Sequence, residues 1–270
     1  MKRIILFLGI LLASRLSMQA QAYEGKIEYQ KTQQPVAISE VPFQQDVVED
    51  AIKDYMAKKG YKGSSSNGFT LFKGAKLGNN DSVMTDLYFK IEHKSRKEKE
   101  MTVISLITIK ANESLITRSA TDDSGLEKAK SFLDQMKPFI EARELSLQAT
   151  DQENAVRKLQ KKQDNLVNDE GDLEKKIRKL ESELDQNKID QQKQANLIQQ
   201  NVNQDAAALQ KAHKKMDHLL DDQADLQKKL RKSQAELEQN KKDQENLKEE
   251  LSKEQQLLDG IKAKQKPLGA

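Results

Sequence analysis

A chain of 270 residues with no cysteine and no tryptophan has room for one or two domains, and it excludes disulfide scaffolds and thiolate metal sites. Its net charge of +3 resides in Lys2, Arg3 and Arg15 of the first 22 residues, which hold no acid, while residues 23–140 carry 18 bases against 17 acids and residues 141–270 carry 25 against 26. Neither part has the cationic excess that neutralising phosphates requires, so nucleic acid is excluded as a partner.

The chain opens on Met1-Lys2-Arg3, an apolar run of ten residues at 4–13, and Ala20-Gln21-Ala22. A basic start, an apolar centre and an A-x-A site together predict a signal peptide over 1–22, cut after Ala22. The apolar run is about half of what a bilayer span needs, so no integral span is expected after cleavage. Export without cysteine also rules out lipid attachment through an N-terminal cysteine and points to the periplasm of a Gram-negative bacterium. Two N-x-S sequons, at Asn80 and Asn112, are short enough to arise by chance.

All twelve aromatic residues lie at or before Phe139, which places the globular core in the first half. Residues 23–29 and 36–41 read as short strands, the second between Pro35 and Pro42. Val47, Val48, Ala51, Ile52, Tyr55 and Met56 recur at helical spacing up to Gly60, predicting a helix over 42–59 with that glycine just past its end. Gly63-Ser64-Ser65-Ser66-Asn67-Gly68 reads as a loop and 69–73 as a strand.

The clearest strands follow. Over 84–93, Leu87, Phe89 and Ile91 alternate with polar neighbours, and 101–110 is apolar on both faces, as a central strand would be. The charged run from Lys94 to Glu100 between them reads as a solvated hairpin tip. A further extended piece is expected at 114–119, then a helix with Ser124 and Glu127 as a capping box and Pro138 as its kink or end. The order implies an α+β module over 23–140, an antiparallel sheet with one or two helices packed on one face.

No motif for chemistry is complete. Gly63 and Gly68 have P-loop spacing, but Phe69-Thr70 stands where Lys-Ser/Thr belongs. Around Gly171 an acidic run resembles a calcium loop, yet Leu166 and Ile177 occupy its first and last ligand positions. His213 and His218, five apart, project ~140° apart on a helix and cannot share one ion. We assign no catalytic, cofactor-binding or metal residue.

The second half, 141–262, has no aromatic residue and no proline, and reads as a long α-helical coiled coil. Core positions 156, 159, 163, 166, 170, 173, 177, 180, 184 and 187 keep a 3-4 spacing, which resumes at Ala195 and Ile198 after a four-residue insertion and runs on to Ile261. Gln163, Glu170, Gln223, Ser233, Asn240 and Gln244 are polar core positions.

Facing residues of an antiparallel pair have numbers with a constant sum. A sum of 403 matches seven of ten layers, among them Leu166 with Leu237 and Leu173 with Leu230, against six for 410 and five for 417. It predicts an antiparallel hairpin in preference to a continuous dimeric rod, with its apex between Asn201 and Val202, arms at about 142–199 and 204–261, and a disordered tail at 263–270. Such a chain is expected to be a non-enzymatic exported protein of the cell envelope, a spacer, adaptor or assembly element working through helix-helix contacts with protein partners, a second copy among them. The alternative is a periplasmic holdase that grips unfolded clients between helical arms.

Overall fold

The computed structural model describes residues 21–29, 31–78, 83–95, 97–110, 123–201 and 206–265. Residues 1–20 of the expected leader, the extended piece at 114–119, both sequon asparagines and residues 202–205 on the far side of the expected apex lie outside these. The described chain forms two compact units, one ending at Gln148 and taking in the last described residues, the other being Ala149–Lys262.

The first unit is built on six antiparallel strands, β1 (Tyr23–Tyr29), β2 (Thr32–Val41), β3 (Gly63–Ser66), β4 (Phe69–Ala75), β5 (Thr85–His93) and β6 (Thr102–Lys110), in the order β1-β2-β6-β5-β4-β3. Helix α1 (Gln45–Lys58) buries Val47, Val48, Ala51, Ile52, Tyr55 and Met56, the six positions that its spacing predicts. It ends at Gly60, whose φ of +86° lets its N–H reach the Ala57 carbonyl while the Tyr61 N–H reaches that of Met56. Strand β6 lies between β2 and β5 and is buried on both faces, as its two-sided apolar pattern requires.

Alternation divides the sheet's side chains. Phe72, Leu87, Phe89, Ile104 and Leu106 pack with α1 and with Leu126, Phe132, Leu133, Met136 and Ile140 of α2 (Asp123–Asn201). On the opposite face Tyr29, Val36, Phe69, Ile107 and Ile109 form a smaller cluster. There the Tyr29 ring of β1 meets Phe69 of β4 edge-on at 5.0 Å, although three strands separate them in the sheet. Flat, those strands would stand ~19 Å apart at about 4.8 Å per spacing, so the sheet curls until β1 covers β4.

Four expectations are corrected in this unit. The serine run is strand β3, joined to β4 by a two-residue turn in which Asn67 (φ 50°) and Gly68 (φ 80°) both adopt the left-handed region, a tight hairpin. Strand β2 runs through Pro35, which pairs with Lys26 of β1, while pairing with β6 begins only at Ala37, so the missing N–H falls where no second ladder needs it. Helix α2 starts at Asp123, one residue before the expected cap. It also continues through Pro138. An interior proline costs about 3 kcal/mol. Here Phe132, Leu133, Met136 and Ile140 are all buried around it, and each large apolar side chain returns about 1.5–3 kcal/mol, so packing wins.

In the second unit two long helices, the later part of α2 and α3 (Ala206–Lys264), pack against each other. Hydrogen bonds join Gln152 to Glu254, Asn187 to Leu219 and Gln194 to Ala212, pairs whose numbers all sum to 406, so the helices run antiparallel. The arrangement is that of a helical hairpin, and it replaces the continuous rod.

Candidate interaction surface

The seam of the helical pair is a sequence of apolar and polar layers. Val156, Leu159, Ile177, Leu180 and Leu184 are buried on α2, and Leu247 and Leu258 on α3. Between them the polar positions are also inside, with Ser233 at 0% exposure and Asn187 and Asn240 buried. A buried amide costs several kcal/mol unless hydrogen-bonded. These amides find partners across the seam or one turn along the same helix. Gln244 Nε2 donates to Glu170 Oε2 at 2.7 Å and to Asn240 Oδ1 at 2.7 Å, and Asn187 Nδ2 donates to the Leu219 carbonyl at 3.0 Å. Near the far end of α2, Gln191 Nε2 donates to Gln223 Oε1 at 3.0 Å and Gln194 Nε2 to the Ala212 carbonyl at 2.9 Å.

Two seam expectations are overturned here. Ala195 is exposed, whereas Gln191 is half-buried and Gln194 is only 4% exposed, so the 3-4 frame continues from Asn187 through 191, 194 and 198 without a four-residue insertion. Glutamines that satisfy themselves by cross-helix bonds leave no apolar periodicity. The register differs as well. Cross-helix contacts range from a sum of 406 to 415, the latter in the Glu153–Lys262 ion pair at 2.7 Å, and Gln244 reaches the Leu166 carbonyl at a sum of 410. The register therefore centres near 410, one heptad from 403. That slip sets Glu170 beside Gln244 and Lys241, which polar bonding favours and leucine matching ignores.

Electrostatics follow the same contacts. The Gln244 amide, and then Lys241 at 3.4 Å, hold the Glu170 carboxyl below its ordinary value, and Lys262 does the same for Glu153. Beside the polar layer a groove of about 510 Å³ opens between the helices, with Leu166 and Leu173 inside it and Asp169, Asp172, Lys176 and Asp243 among its walls.

The motifs weighed for chemistry are dispersed. Gly63 and Gly68 bracket a strand and a hairpin turn, not the strand-to-helix loop that cradles phosphate. Asn168 to Asp172 run as helix, and His93, His213 and His218 are exposed on three separate segments or turns. Lys94, at the β5–β6 tip, is engaged by Glu40 at 2.6 Å, and Glu40 also accepts from the Tyr23 hydroxyl at 3.0 Å. Among the described residues no cluster of three or more His, Asp or Glu could hold a metal ion, and no helix is long and apolar enough to cross a membrane. No family model, no curated protein and no solved structure matches this chain.

Proposed function

We propose that this is an exported, non-enzymatic protein of the bacterial cell envelope, in which an α+β module carries a coiled-coil hairpin that serves as a spacer, adaptor or assembly element. The observation that carries the reading is the seam of the helical pair. Its polar layers bond across the helices, and buried amides of that kind fix pairing at a cost in stability. A device that sets a distance or presents a surface needs that fixed pairing. Export rests on Met1-Lys2-Arg3, the apolar run and Ala20-Gln21-Ala22, and the Gram-negative periplasm on the lack of cysteine.

Fractionation of an expressing Gram-negative cell, with N-terminal sequencing of the product and photo-crosslinking from Ile189 and Leu220, tests this directly. The expected result is a periplasmic chain beginning at Tyr23 that crosslinks to one or a few discrete envelope proteins or to itself. A cytoplasmic chain with an intact leader overturns the localisation, and an absence of discrete adducts overturns the assembly role.

A second reading, the holdase, is favoured by four large apolar side chains left about half exposed on the helical pair, Val167, Ile189, Leu197 and Leu220. They lie singly rather than as a patch, which is why the spacer is preferred. Suppression of the aggregation of a denatured client at stoichiometric ratio, lost when these four become serine, would reverse that preference.

A further inference from the structure

The face of α2 next to the seam carries its charges in an order that is complementary to its own reverse. At the same alternating spacing of four and three residues as the seam runs a stripe consisting of Asp151, Ala155, Lys158, Lys162, Asn165, Asp169, Asp172, Lys176 and Lys179. All are exposed apart from Ala155, which is half-buried, and Asp169, Asp172 and Lys176 border the groove with Leu166 and Leu173. Turn a second copy about a two-fold axis through Asn165 and Lys158 meets Asp172, Lys162 meets Asp169, and Asp151 meets Lys179. Each pairing occurs twice.

We propose that two copies of this chain associate through this stripe, α2 against α2 in antiparallel sense, with the axis at Asn165. A two-fold contact brings the residue on the axis against itself, so a charge there repels its own copy. Asn165 is the uncharged residue between the basic and acidic blocks, and its amide can both donate to and accept from its twin. An axis at Lys162, Asp169 or Asp172 would set like charges face to face. Within one copy these groups are poorly used. Lys158, Lys162 and Asp169 have no ion-pair partner among the described residues, Asp172 pairs only with Lys175 three residues on, and Lys176 lies 3.8 Å from Glu236. In the pair, the Lys158 and Lys162 stems would lie over the apolar part of the partner's groove, with their ammonium groups at its acidic rim.

This inference rests on the reading of the helical pair as an interaction element and gives that element a partner. The full-length protein, expressed with its leader and purified, is examined by size-exclusion chromatography with light scattering at 0.1 M and 1 M NaCl. A dimer at low salt that weakens at high salt is expected. Lys158→Glu with Lys162→Glu should raise its dissociation constant about 100-fold, as should Asp169→Lys with Asp172→Lys. Combining all four should restore it to within about tenfold. Because the chain has no cysteine, Asn165→Cys should give a disulfide-linked dimer on mild oxidation. Circular dichroism separates a variant that fails to fold from one that fails to pair. A wild-type monomer at every concentration overturns the proposal, as does a dimer indifferent to charge reversal or reversals that the fourfold variant does not rescue. A monomer would leave the envelope reading to stand or fall by fractionation and crosslinking.

Discussion

Single residues in the helical pair carry costs that substitution can recover. Gly171 sits inside α2, and a Cβ built on it meets nothing within 4 Å. Gly171→Ala should therefore stabilise by about 1 kcal/mol, read as a higher urea midpoint with unchanged slope. Ser233 is fully buried with a hydroxyl that finds no partner, so Ser233→Ala should leave stability unchanged or raise it by about 1 kcal/mol in the same assay. On the sheet, the hydrogen bond that Lys94 donates to Glu40 holds the Glu40 carboxyl below its ordinary 4.5 and raises the Lys94 ammonium above its ordinary 10.5. A depressed acid stabilises the fold above the unfolded carboxyl value and loses that contribution as pH falls through its own lowered value. A raised ammonium stabilises below 10.5 and loses its contribution as pH rises through its own higher value. The gap in melting temperature between wild type and Glu40→Gln should thus be widest between about pH 5 and 10, and close in acid below the lowered carboxyl value. A gap that persists at pH 2 would assign it to packing.

At the scale of the element, the polar layers rather than the leucines should hold the register. Asn187→Leu with Gln194→Leu should keep or increase helix stability, since each site is buried and of similar size, yet loosen the pairing. Cysteines in place of Leu173 and Leu237 report the native register, and those in place of Leu173 and Leu230 the one shifted by a heptad. Oxidation should crosslink only the first pair in the parent and both pairs in the double variant. Helix α1, β5 and β6 were legible in the sequence because burial on one face or both leaves a period in the apolar residues. Strand β3 left no such period, since its serines sit on the sheet edge with side chains in water, although Asn67-Gly68 is a hairpin signal in its own right. Gln191 and Gln194 were invisible for the opposite reason. Their burial depends on a carbonyl or amide on the other helix, and no spacing within one arm records it.

At the scale of the whole molecule, protection should follow the density of apolar burial. Strand β6, with six consecutive buried residues from Ile104 to Ile109, should hold its amides longest in hydrogen exchange. The stretch of α2 at 187–198, whose inward positions are mostly amides, should exchange sooner than the stretch at 177–184, where Ile177, Leu180 and Leu184 are buried. Mass spectrometry of peptides from the two stretches compares them within one experiment, and equal protection would mean that the helical pair opens only as a whole.

The antiparallel register also constrains how this protein can change in length. Seven residues lost from one side between Gln194 and Ala212 move every polar layer past its partner by a full heptad, so Gln194 no longer meets the Ala212 carbonyl and Gln244 no longer meets Glu170. Only matched losses or gains on both arms keep those bonds. Viable relatives of this pair would then differ by about 14 residues at a time, each such step changing its reach by ~10.5 Å at the helical rise.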